Sequence, residues 1–208
     1  MTETEVLGIF EKFGVLVDGH FLYRSGLHGR KYVNKDAIFP HVEIISRLCA
    51  RIATEFRDDN IEVVIGPAIG GVIISQWVTF HLNNLVGHPG GVLAVYAEKQ
   101  PDGTFAIKRG YDKLVNGKRT LVVEDVMTTA LSAKGVIDVS RAKGAIVKGL
   151  GLLWNRGGIT PADVGVAKLY ALINRHLETW EPDECPLCRD EVPINSELGK
   201  GKEISKSS

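Results

Sequence analysis

Apolar and polar positions along the chain alternate between two periods. Residues 4–13 set Val6, Ile9, Phe10 and Phe13 on one helical face, and Gly14 suits the left-handed residue that closes such a helix. Residues 15–23 alternate loosely and predict a strand or extended segment, followed by a basic, glycine-containing loop from Arg24 to Lys31 and a short strand at Tyr32-Val33. After Pro40, Ile44, Ile45, Leu48, Cys49, Ile52, Ala53 and Phe56 recur at helical spacing, which predicts an amphipathic helix over 41–57. Short runs rich in β-branched residues at 61–65, 92–96, 120–123 and 145–153 then predict buried strands separated by helical stretches, with a last strand at 166–173. Strands alternating with helices predict an α/β fold with a mostly parallel central sheet flanked by helices. Ligand loops of such a sheet gather at the carboxyl ends of its strands.

Three loops fall at that edge. Gly66-Pro-Ala-Ile-Gly-Gly71 follows the first core strand, Glu124 to Ser132 follows the third, and Trp154-Asn-Arg-Gly-Gly158 the fourth. In the second loop Glu124 and Asp125 are read as ending the strand, with Thr128, Thr129 and Ser132 just before a helix predicted over 132–143. Carboxylates accept hydrogen bonds from sugar hydroxyls, and the unbonded N–H groups of a helix start hold phosphate. The chemistry fits a sugar phosphate. The first loop lacks Gly-x-Gly-x-x-Gly spacing, which weighs against a dinucleotide-binding fold.

Composition narrows the partners. Lys and Arg total 25, equal to Asp and Glu, so no basic excess supports nucleic-acid binding. No apolar run reaches membrane-spanning length, and the first residues are acidic, unlike a signal peptide. Three cysteines do not make a disulfide framework, so a reducing, cytoplasmic setting is expected. Cys185-Pro-Leu-Cys188 is half of a zinc-site spacing without a second pair, and His176 is the nearest histidine. It reads as a structural turn, His20 and His28 read as polar loop residues, Trp77 reads as core, and no metal site is assigned.

Glu124-Asp-Val-Met-Thr-Thr129 resembles the 5-phosphoribosyl 1-diphosphate signature of type I phosphoribosyltransferases. Phe21-Leu-Tyr-Arg-Ser-Gly26, Gly66-Pro-Ala-Ile-Gly-Gly71 and Asn155-Arg156 resemble, in family order, the base-binding segment, the diphosphate loop and the Asp-Arg of the orotate phosphoribosyltransferase branch. The resemblance implies one domain over 1–208, with a small N-terminal hood over 1–40, an α/β core over 41–175, a basic flap over 97–118 and a polar tail over 181–208. It implies transfer of the phosphoribosyl group to orotate in pyrimidine biosynthesis. Magnesium would be bound mainly through the substrate and water, and the chain would form a homodimer whose flap can be shared between subunits.

By the same resemblance Glu124 and Asp125 hold the ribose hydroxyls, and Val126, Met127, Thr128, Thr129, Ala130, Leu131 and Ser132 form the phosphate loop. Ala68, Ile69, Gly70 and Lys99 meet the diphosphate, and Lys99, Lys108, Arg109 and Asp125 serve the reaction. Arg156, Thr128, Arg24, Tyr32 and Val33 meet orotate. Ala130 and Leu131 replace the loop's usual glycine, Gly70 a usual lysine and Glu98 a usual arginine. The base-contact segment also differs from the family pattern, which leaves open a transferase for another base, while Ala130, Leu131 and Gly70 leave open a non-catalytic binder with the same fold.

Overall fold

The computed structural model describes residues 1–23, 25–87 and 90–200. Arg24, assigned above to orotate, lies outside the described residues, as does the end of the tail from 201. The chain divides into two compact units, one formed by Met1–Val6 and Phe39–Arg175, the other by Leu7–Ile38 and the residues from His176 onward.

The larger unit is a six-stranded sheet: β3 (Val63–Pro67), β4 (Leu93–Lys99), β5 (Phe105–Ala106), β6 (Arg119–Met127), β7 (Ile146–Asn155) and β8 (Leu169–Asn174). Strands β1 and β2 belong to the smaller unit. The spatial order is β5-β4-β3-β6-β7-β8, parallel except for β5. Leu121, Val122 and Val123 are all fully buried, as expected of a strand covered on both faces. Val122 joins Val63, Ile65 and Leu150 in a cluster with Val136 and Ile137 of the helix Leu131–Ala142. On the other face, Gly151 lies against Ile52 and Val123, so the helix Val42–Glu55 packs directly on β7 there. Burying each such Val, Leu or Ile side chain stabilises the fold by about 1.5–3 kcal/mol.

Helices are numbered α1 (Glu3–Lys12), α2 (Val42–Glu55), α3 (Gly70–Val86), α4 (Tyr111–Val115), α5 (Leu131–Ala142), α6 (Pro161–Val164) and α7 (Pro186–Arg189). The observed elements depart from the sequence reading in three informative places. First, β6 does not end at the acids: Glu124, Val126 and Met127 stay paired with Leu152, Trp154 and Asn155 of β7. Ladder hydrogen bonds outweigh the low strand preference of two acids. Second, the basic flap over 97–118 is a short hairpin followed by a helix. Glu98 and Lys99 pair with Ala106 and Phe105 across the Pro101-Asp-Gly turn, then α4 follows. Ile107 and Val115 are buried and Phe105 packs on the α5 cluster, so apolar residues hidden among the lysines dock this segment. Third, Trp77 is not core. It is half-buried and makes ring contacts with Phe80 and His81 on α3.

The smaller unit is an antiparallel hairpin, β1 (Leu16–Leu22) and β2 (His28–Val33), together with the segment that follows β8. His28 begins β2 instead of lying in a loop, and it exchanges backbone hydrogen bonds with Trp180. Among the described residues no helix is long and apolar enough to cross a membrane.

Candidate active site

The order of the sheet locates the site. From β3 the chain moves through α3 to β4 on one side, then returns to β6 on the other side of β3. The strand order therefore reverses between β3 and β6, and a crevice opens beyond the carboxyl ends of strands at such a point. The loop leading into α3 and the loop leading into α5 flank it.

Alternation along β6 separates its two acids. Val122 and Glu124 share a parity and face the α5 side, while Val123 and Asp125 face the α2–α3 side. Both carboxylates are buried, Glu124 to 6% exposure and Asp125 to 2%. Asp125 lies directly against the start of α3. A Cβ on Gly70 would stand 2.1 Å from Asp125 Oδ2 and 3.1 Å from the Phe39 ring. The absent side chain at 70 is thus what admits the carboxylate; a lysine there would require Asp125 to move. Asp125 Oδ1 also accepts from its neighbour Val126 N–H at 2.6 Å. The Ala68–Ile69 peptide in the same loop is cis.

After Met127 the loop turns outward. Thr128 and Thr129 are exposed, and Ala130 takes the left-handed conformation at φ 61°, ψ 0° before α5 begins at Leu131. Ala130 therefore adopts the backbone that glycine would, with its methyl among the α5 core residues. Neither α5 nor α3 has a side-chain cap or an acid in its first turn. Helix starts of this kind, with unbonded N–H groups and no first-turn acid, favour anions.

The loop after β7 is fastened to this one. Arg156 and Gly157 N–H groups both donate to the Met127 carbonyl, at 2.8 and 3.1 Å. The Asn155 amide donates to the Ile159 carbonyl at 2.8 Å and accepts from its N–H at 3.1 Å, which closes the turn. Asn155 is buried and structural, whereas Arg156 beside it is half-buried. Gly157 is a site residue the sequence reading missed. A Cβ there would lie 1.9 Å from the Thr128 carbonyl oxygen. Its φ is unexceptional, so close backbone approach is the reason for glycine, and spacing alone carries no signal of it.

The remaining candidates divide. Lys99 ends β4 at the same sheet edge and is exposed. Lys108 and Arg109 both pair with Glu98, at 3.8 and 3.0 Å. The Glu98 hydrogen bond holds the Arg109 pKa above its ordinary value. These two cations therefore neutralise Glu98. Tyr32 and Val33 lie on β2 in the smaller unit, where the Tyr32 ring packs 5.4 Å from that of Phe21. His20 and His28, read as polar loop residues, are buried on the two strands of the hairpin at 2% and 6% exposure.

Solved structures with this fold come from enzymes of different base specificity. Orotate phosphoribosyltransferase of Mycobacterium tuberculosis matches with a TM-score of 0.63 at 19% identity, over 82% of this chain and 95% of that one. Adenine phosphoribosyltransferase of Thermoanaerobacter pseudethanolicus matches at 0.59 and 12%, over 79% and 98%. The fold is that of the type I phosphoribosyltransferases. No family model matches the chain. A Pelotomaculum thermopropionicum protein named orotate phosphoribosyltransferase is 36% identical over 193 residues, 93% of this chain and 95% of the relative. One so named from Caldanaerobacter subterraneus is 37% identical over 194 residues, 93% and 96%. The chain belongs to the orotate phosphoribosyltransferase family.

Proposed function

We propose that the protein transfers the phosphoribosyl group of 5-phosphoribosyl 1-diphosphate to orotate, releasing diphosphate and forming orotidine 5-phosphate for pyrimidine biosynthesis. The observation that carries this reading is the buried acid pair running into the Thr128–Thr129 turn at the point where the strand order reverses. Its setting is a chain over a third identical, along most of its length, to relatives of that name.

Each group has a role suited to its chemistry. Glu124 and Asp125 accept hydrogen bonds from the ribose hydroxyls. The N–H groups at the start of α5, with the Thr128, Thr129 and Ser132 hydroxyls, hold the 5-phosphate. The loop 68–70 and Lys99 receive the diphosphate. The planar guanidinium of Arg156 pairs with the orotate carboxylate. No protein nucleophile is needed. The reaction depends on holding the base nitrogen near the ribose C1 and on stabilising charge as the diphosphate leaves.

A magnesium ion would be held mainly through the oxygens of the substrate and water, with Glu124 and Asp125 nearby, and would supply positive charge to the leaving diphosphate. The alternative of a binder without turnover rested on Ala130, Leu131 and Gly70. Ala130 takes the conformation a glycine would, and Gly70 accommodates Asp125, so both substitutions are compatible with a working loop.

The test is orotate-dependent release of diphosphate with magnesium present. Turnover with purines alone, or binding of the activated sugar without turnover on any base, overturns the proposal. Within it, Arg156→Ala raises the orotate Michaelis constant about tenfold or more, the size of one lost charge-assisted hydrogen bond at about 1.5–3 kcal/mol. An unchanged orotate constant would remove Arg156 from the base site.

A further inference from the structure

The second unit contains a convergence that phosphoribosyl transfer does not use. His20 from β1, His28 from β2, and Cys185 and Cys188 flanking the start of α7 bring one ligand atom each to within 4.8 Å of one another. His20 Nε2 lies 2.8 Å from His28 Nδ1, 3.6 Å from Cys185 Sγ and 3.8 Å from Cys188 Sγ, and Cys188 Sγ lies 3.3 Å from His28 Nδ1. Both histidines and Cys185 are buried, Cys188 is exposed, and neither cysteine is in a disulfide.

Hydrogen bonding among these groups does not account for the arrangement. His20 Nδ1 is 2.7 Å from the Val192 carbonyl oxygen, which can only accept, so Nδ1 carries the proton. Nε2 of the neutral ring then presents its lone pair to the other three atoms. A thiol is a weak donor, and a single proton between the two ring nitrogens satisfies one contact of the four. A cation at the centre satisfies all of them. The Nδ1–H bond to a backbone carbonyl is also the arrangement that fixes the tautomer of a metal-ligating histidine.

We propose that His20, His28, Cys185 and Cys188 form a structural zinc site, with His20 Nε2, His28 Nδ1 and the two thiolates as ligands. Two imidazole nitrogens and two thiolates are a donor set of closed tetrahedral zinc. Bonds of about 2.3 Å to sulfur and about 2.0–2.1 Å to nitrogen set sulfur–nitrogen edges of roughly 3.6 Å and a nitrogen–nitrogen edge of roughly 3.4 Å. The observed sulfur–nitrogen distances of 3.3, 3.6 and 3.8 Å bracket that edge, and the ion spreads the two nitrogens by about half an ångström. The site is closed, with four protein ligands, and so is structural.

Its position gives it a purpose. The tail is joined to the hairpin by few backbone bonds: His28 with Trp180 in both directions, Asn195 N–H to His20 O, and Lys200 N–H to Leu22 O. Helix α7 is four residues long and Leu187 is its buried residue. A unit this small gains from a metal what it lacks in core.

The experiment uses the full chain, free of any histidine tag and purified under reducing conditions. Zinc is measured by elemental analysis, and colorimetrically after thiol displacement by a mercurial. One zinc per chain is expected. Cobalt(II) replacement should give the visible bands of a tetrahedral site and a thiolate-to-cobalt charge-transfer band. Cys188→Ser and His20→Gln should each lose the metal, and chelation should lower the melting temperature. Four outcomes overturn the proposal: reduced wild-type protein with little zinc and no thiolate–cobalt band, full zinc retained in the Cys185→Ser/Cys188→Ser double variant, iron found in place of zinc, or binding through other residues. The wild-type measurements decide the matter if the variants fail to fold. None of these readouts depends on orotate turnover, so this proposal and that of the transferase reaction fail separately.

Discussion

At single residues, close approach explains what residue type alone does not. Gly157 is glycine because the Thr128 carbonyl occupies the space of a side chain, and Gly70 because Asp125 does. A Cβ 1.9 Å from the Thr128 carbonyl oxygen means that Gly157→Ala would push that carbonyl by an ångström or more. Displacement of that order near a reacting centre costs about a hundredfold in rate. We expect kcat/KM for 5-phosphoribosyl 1-diphosphate to fall by about that factor with circular dichroism unchanged. Wild-type kinetics in the variant would mean that the two loops are not mechanically joined. Ala130 illustrates the opposite balance. A Cβ in the left-handed region costs about 1–2 kcal/mol, and burying a methyl group returns about 0.8 kcal/mol. The chain tolerates that remainder where a glycine would avoid it.

Elements were legible where period and composition agreed. The helix over 42–55 and the apolar core strands followed from spacing, since each buries a stripe or a whole run. Less legible were features set by partners distant in sequence. The acids of β6 look like a strand end, but pairing with β7 carries the strand through them to Met127. The segment over 97–118 looks like a free basic ribbon, yet Phe105, Ile107 and Val115 dock it on the core. That docking is testable through α5. A Cβ on Gly135 would stand 2.6 Å from the Phe105 ring. Gly135→Ala gains helix propensity of about 0.8–1 kcal/mol, offset by loss of the ring's packing. We expect a melting temperature close to wild type with faster proteolysis between residues 99 and 110. A higher melting temperature with unchanged proteolysis would show that Phe105 does not anchor the hairpin. In the site, the acids, threonines and Arg156 were readable as chemistry. Gly157 and the histidines His20 and His28 were not, because their roles depend on what the fold brings beside them.

At the scale of the molecule, helices of the larger unit carry exposed apolar side chains. Phe80 and Leu85 of α3 and Val42 of α2 are about half exposed, and the Trp77 and His81 rings, stacked on each other, meet Phe80 edge-on. Exposed apolar surface of this kind marks association sites, and we predict from it a homodimer that uses these residues. Phe80→Glu should convert dimers to folded monomers in sedimentation velocity. A wild-type protein that is monomeric at micromolar concentration, or a variant that stays dimeric, would place the interface elsewhere. The smaller unit has a different consequence, for the order in which the protein is made. Beyond the local β1–β2 ladder, its hydrogen bonds join residues near 20 to residues near 195, so these have no partner until almost the whole described chain has been synthesised. The sheet needs nothing past β8, which ends at Asn174. On the ribosome, then, the sheet can form while the hairpin still waits for the tail. At about 5–20 residues per second the wait lasts a few seconds, during which His20 and His28 stand without the cysteines they later meet.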